Sequence, residues 1–96
     1  MSPGRVISWA AKASDDLDGI VEYIAKDNEE AAQEFYEQIM EAVDKLAASP
    51  IGRRGELPGA YERVLTRYPS YMIIYTLAEH AINIIRIFHT SQQKKL

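Results

Sequence analysis

The spacing of apolar residues changes character once along this chain, and that change limits the folds open to it. Ala13, Leu17, Ile20, Val21 and Ile24 recur at the three- and four-residue intervals of an amphipathic helix. The polar break Lys26-Asp27-Asn28-Glu29 suits a tight turn. A second helical stripe then runs through Ala32, Phe35, Ile39, Ala42, Val43 and Leu46 and stops before Pro50, because a residue preceding proline disfavours helix. From Pro50 to Gly59, two prolines and three glycines surround Arg53 and Arg54, a composition that predicts a loop. Beyond it the pattern becomes that of strands, rich in β-branched and aromatic residues: Tyr61 to Leu65, Tyr71 to Leu77 and Ile82 to His89. Thr66 to Ser70 and Ala78 to Ala81 fit hairpin connections. Arg5 to Ala10 reads as a further strand ahead of the helices. The order β-α-α-β-β-β predicts an α+β domain, with an N-terminal strand, an antiparallel helical hairpin and a three-stranded antiparallel meander, the hairpin packed on one face of the sheet. In the last run Ile84, Ile85, Ile87 and Phe88 occupy both sides of the pleat, as in a strand covered on both faces or lying at the sheet's centre.

A chain of 96 residues buries one core, so a single domain spanning 1–96 is expected. With no cysteine, a disulfide framework, a thiol nucleophile and a cysteine-based zinc site are all excluded. No apolar run approaches the roughly 20 residues of a membrane span. Met1-Ser2-Pro3-Gly4-Arg5 is not followed by the apolar stretch of a secretory signal, so the cytoplasm is the expected location. Charge is divided unevenly: residues 1–48 carry net −7 and residues 49–96 net +4. Such a split suggests one face positive enough to meet an anionic partner, unless the helices are acidic and the strands basic for reasons of solvation alone. Asp15, Asp16 and Asp18 fall in the first turns of the first helix, where carboxylates oppose the positive end of the helix dipole. Glu30, Glu34, Glu37, Glu41 and Asp44 mark the solvent face of the second, with Glu41 placed to pair with Lys45.

His80 and His89 have no acidic neighbour at metal-ligand spacing, and no metal is expected. The serines lack a nucleophile-elbow context, and Gly52-Arg53-Arg54-Gly55 does not bridge a strand and a helix, so neither triad hydrolysis nor a nucleotide cofactor is indicated; the chain should need no cofactor. Trp9, Phe35, Tyr71 and Tyr75 are most simply core residues. What remains is the placement of arginine: Arg53, Arg54, Arg63, Arg67 and Arg86 all fall in the second half. Arg86 interrupts an otherwise apolar strand, and strict alternation sets it on the face opposite Ile85, Ile87 and His89. A guanidinium in such a strand must pair with Glu62 or another acid, or line a wet concave surface whose partner supplies phosphates or carboxylates.

The spelling itself then becomes informative. Trp9 to Ile24 reads W-A-x-x-A-x-x-D-L-x-x-I-x-x-Y-I, carried by Trp9, Ala10, Ala13, Asp16, Leu17, Ile20, Tyr23 and Ile24. It is followed by Pro50-Ile51-Gly52-Arg53, Gly59-Ala60-Tyr61-Glu62, Tyr71-Met72-Ile73-Ile74-Tyr75 and Ile84-Ile85-Arg86-Ile87-Phe88-His89. In this order and spacing the chain resembles the ParE branch of the RelE/ParE superfamily, the toxins of bacterial type II toxin-antitoxin modules, over nearly its whole length.

The resemblance implies a small growth-inhibiting toxin held silent by a ParD-like antitoxin, whose disordered tail would fold over apolar grooves of the toxin. It implies no direct DNA binding by this chain alone and no membrane. ParE-like members are associated with poisoning DNA gyrase, and on this branch Arg53, Arg54, Arg63, Arg86 and His89 are the expected target-binding residues. RelE-like members cut messenger RNA on the ribosome with lysines, arginines and a C-terminal tyrosine or histidine. Metal-free RNA cleavage needs a base, an acid and cations for the phosphorane charge, roles that Arg63, Arg86 and His89 would take here. No lysine lies in the central loop and no tyrosine follows His89, which favours gyrase inhibition by a protein that is not a hydrolase. The chain departs from the family in carrying Tyr61 where many ParE-like chains have arginine, with Arg63 beyond Glu62, and in its short polar tail from Thr90 to Leu96. A remnant that binds its antitoxin without being toxic is the third alternative.

Overall fold

A computed structural model describes residues 4–49, 53–54 and 58–90. The elements follow as β1 (Val6–Trp9), α1 (Ala11–Ala25), α2 (Glu29–Ala48), β2 (Arg53–Arg54), β3 (Tyr61–Val64), β4 (Tyr71–Leu77) and β5 (Ala81–His89). They build one sheet in the order β1-β5-β4-β3-β2, covered on one face by the helical hairpin. β3, β4 and β5 form the antiparallel meander, and β1 joins it alongside β5 in parallel, Val6 opposite Ala81 and Trp9 opposite Ile84. Among the described residues no helix is long and apolar enough to cross a membrane.

The hairpin packs because each helix carries one apolar stripe. Ala13 and Leu17 of α1 and Phe35, Ile39, Val43 and Leu46 of α2 meet Ile73, Tyr75, Ile82, Ile84 and Ile87 of the sheet. Each leucine, isoleucine, valine or phenylalanine buried outright here contributes about 1.5–3 kcal/mol over leaving it exposed. Asn28 starts α2 by accepting a hydrogen bond from the Ala31 N–H at 3.0 Å, satisfying one of the donors that a helix start leaves over. Phe35 meets the rings of Tyr68 and Tyr71 edge-on at 5.2 and 5.0 Å, which fastens the β3–β4 connection under α2. A smaller cluster on the other face of the sheet joins Ala60, Met72, Ile74 and Phe88, with Val64 and Ile85 against it.

Three expectations need correction. Arg53 and Arg54 are not in a loop: they form the edge strand β2, opposite Glu62 and Tyr61. A two-residue pairing needs no repeat in the sequence to announce it. Second, α1 begins at Ala11, so its first turn contains no acid, and Asp15, Asp16 and Asp18 lie too far along to serve the dipole as proposed. Third, strict alternation fails in β5. A bulge shifts the register between Ile74 and Tyr75, which sit opposite Arg86 and Ile84, leaving Ile85 the extra residue. Ile85 therefore packs with Phe88 on the far face while Ile87 stays on the helix side. The Pro50-Ile51-Gly52 piece, the side chains of Arg53 and Arg54, and the tail from Ser91 lie outside the described residues.

Candidate functional site

Arg86 owes its surroundings to the end of β1. The Ala10 N–H makes the last backbone bond from this segment to β5, on the Ile84 carbonyl at 2.9 Å, and the chain then turns into α1. Beyond that point Asp16, one turn into α1, takes over. Its Oδ2 accepts from the Ile87 N–H at 3.0 Å and from Arg86 Nε at 2.7 Å, and its Oδ1 accepts from Arg86 Nη2 at 3.0 Å. Both side chains are only 18% exposed, so this two-pronged pair sits in a medium far less screening than water. The hydrogen bonds that Arg86 donates to Asp16 push the Arg86 pKa further up, against the opposing effect of burial. The guanidinium carbon also lies 4.6 Å from the centre of the Phe88 ring, a cation–π contact. Glu62 is not the partner, because the register sets fully buried Ile74 between Glu62 and Arg86 across two strand spacings, about 10 Å.

Around this pair opens a recess of about 220 Å³, to which Tyr71, Ile20 and His89 also contribute. The ring of His89 meets Tyr71 edge-on at 5.2 Å. Of the residues singled out in the sequence, the structure brings Arg86 and His89 together and sets Arg63 apart. Arg63 lines a second and larger groove of about 410 Å³ between the C-terminal half of α2 and β3. Ala42, Leu46 and Leu65 give that groove its apolar lining, with Lys45 and Arg67 beside them. Arg67 is tied to Glu34 at 2.8 Å and Lys45 to Glu41 at 3.0 Å. Among the described residues Arg63 forms no ion pair. Its charge does oppose the upward push that burial and neighbouring Tyr61 give the Tyr75 hydroxyl.

Among the described residues the basic half therefore does not present one continuous cationic hollow: two of its arginines are paired with carboxylates of the helices. Asp16 is the residue that reading the sequence missed. Its signal was there, because position 16 lies on the same stripe as Ala13 and Ile20, and an acid on a buried stripe asks for a buried partner.

The family described as the ParE toxin of type II toxin-antitoxin system, parDE, matches residues 7–94. The toxin RelE2 of Caulobacter vibrioides is 35% identical over 86 residues, covering 90% of this chain and 96% of that protein. The chromosomal ParDE toxin-antitoxin system from P. aeruginosa contains a chain that superposes with a TM-score of 0.80 at 28% identity, over 92% of this chain and 98% of that one. The toxin-antitoxin complex RelBE2 from Mycobacterium tuberculosis shares the fold at a TM-score of 0.57 and 19% identity, over 96% and 98% of the two chains.

Proposed function

We infer function from kinship and geometry together: the chain belongs to the ParE toxin family of type II toxin-antitoxin systems, and we propose that it stops growth by binding DNA gyrase in the cytoplasm, not by cutting RNA. A ParD-like antitoxin silences it. The observation that carries this choice is the separation of the three residues a nuclease would use. Arg63 opens into the α2 groove, whereas His89 shares its recess with an arginine already held by Asp16. A phosphorane needs its compensating cations gathered around one phosphate. An arginine paired with a carboxylate brings little net charge to a phosphorane, although its remaining edge still donates hydrogen bonds to a single acceptor. Recognition of a protein surface asks for less: shape, some apolar area and oriented donors.

The 410 Å³ groove suits the antitoxin, since its apolar lining and Arg63 would accept an amphipathic segment bearing a carboxylate. Arg86 and His89, with the β2 pair Arg53 and Arg54, remain the proposed target-facing residues. The second reading, a ribosome-dependent endonuclease, draws on Arg86 and His89 lining one recess and on the likeness to a protein named RelE2.

Inducible expression separates the readings. Gyrase inhibition predicts growth arrest with messenger RNA intact by primer extension, relieved by co-expressing the antitoxin. A general acid or base is worth about 10²–10⁴ in rate. His89→Ala should therefore weaken arrest by less than about tenfold if His89 only contacts a protein. A loss of a hundredfold or more, together with codon-phased cuts in the wild type, would establish the nuclease instead.

A further inference from the structure

Asp16 has no part in the function as proposed so far, yet it makes three of the hydrogen bonds that hold the end of β5. The strand runs five residues past Ile84, where β1 stops accompanying it. One carboxylate oxygen there replaces a strand neighbour for the Ile87 N–H and at the same time takes Arg86 Nε, while the other oxygen takes Nη2. With the Phe88 ring 4.6 Å from its carbon, the Arg86 guanidinium is fixed along one edge and against one face. The edge carrying Nη1 takes no part in the pair with Asp16, and Arg86 lines the recess with Tyr71 and His89.

We propose that Asp16 is a positioning residue: it stands in for the strand that has ended and, by gripping Arg86 from the side, aims the remaining guanidinium edge into the recess to receive an acidic group of the target protein. The inference rests on the reading of the chain as a toxin that binds a protein target. It differs from that reading in assigning a task to a residue of α1, and from a plain ion pair in requiring that the guanidinium come from position 86. A plain ion pair between helix and sheet would work with the two charges exchanged, apart from the lost acceptor for the Ile87 N–H. An aimed arginine would not, because the exchange moves the donor edge onto the helix.

The test uses the full chain with Asp16→Asn and with the exchange Asp16→Arg/Arg86→Asp, and reads three quantities: growth arrest on induction, thermal melting, and the Arg86 Nε–H signal by NMR of the wild type and Asp16→Asn. The proposal expects Asp16→Asn to melt cooperatively, to let the Arg86 Nε–H exchange with water at least tenfold faster, and to lose growth arrest at least tenfold. The exchanged pair restores the charge pairing but leaves the Ile87 N–H without its acceptor, so it should melt cooperatively at or below the wild type without recovering arrest. Arrest restored by the exchange, or undiminished in Asp16→Asn, would reduce Asp16 to a structural joint. Should the wild type fail to arrest growth, the toxin reading falls by itself. The Nε–H signal then tests the grip on Arg86 alone: unchanged exchange in Asp16→Asn overturns the positioning role. If the exchanged pair does not fold, the Asp16→Asn arms settle the matter in the same way.

Discussion

At the scale of single residues, the decisive contacts are those in which a polar group enters an apolar setting and finds one specific answer. Arg86 does so through Asp16; the buried Tyr75 hydroxyl shows the cost of such a setting, because burial pushes it above the ordinary phenol value. A phenol whose folded value is raised keeps its proton in the native chain after the unfolded chain has begun to lose it. Its stabilising contribution is therefore complete below about pH 10 and disappears as pH climbs through the folded value. Tyr75→Phe should leave stability at neutral pH within about 1 kcal/mol and make the alkaline decline shallower, as chemical denaturation between pH 8 and 11 would show. A decline of unchanged steepness would place its origin elsewhere. Much of the core could be read at this scale, since Phe35, Ile39 and Tyr75 occupy the stripe and pleat positions their spacing gives them. The partner of Arg86 could not. Glu62 and Asp16 are both acids in the sequence, and only the register, with Ile74 intervening, excludes the first.

Among the elements, departures from the expected pattern occur where the backbone changes its rule within a few residues. The bulge opposite Ile74 and Tyr75 costs one residue of alternation and so sends Ile85 and Ile87 to different faces. Periodicity cannot foresee it, because a run of isoleucines is apolar in either register. β2 escaped notice for the opposite reason, being two arginines among prolines and glycines. Turn chemistry, in contrast, is local and was legible. Asn28 caps α2, and Gly59, at φ 76°, takes the left-handed conformation that a side chain makes costly. Asn28→Ala should lower stability by about 1 kcal/mol through the lost cap. Gly59→Ala should cost about 1–2 kcal/mol in backbone strain alone, since no atom lies within 4 Å of where its Cβ would sit. Urea unfolding of both variants would check the pair. A neutral Gly59→Ala would mean that the turn relaxes to negative φ.

For the whole molecule, the split between an acidic first half and a basic second half acquires a structural meaning. Arg67 with Glu34 and Arg86 with Asp16 are ion pairs that cross from sheet side to helix side, so part of the asymmetry cancels locally and does not add to one positive face. The Arg67 pair is exposed and worth at most about 1 kcal/mol, whereas the Arg86 pair organises the recess at the end of β5. Among the described residues two concavities of different character stand open to partners: an apolar groove beside α2 with Arg63 in it, and a smaller recess around Arg86, Tyr71 and His89. Two separate sites would suit the proposed roles of antitoxin binding and target inhibition, and among the described residues neither gathers the cations that RNA cleavage demands. The most direct measurement is gyrase supercoiling of relaxed plasmid with increasing amounts of the purified chain. The account predicts that supercoiling fails as the chain approaches the enzyme in concentration, and that Arg86→Ala restores it. Undisturbed supercoiling at a large excess of chain, with ribosome-bound messenger cut by the same preparation, would contradict it.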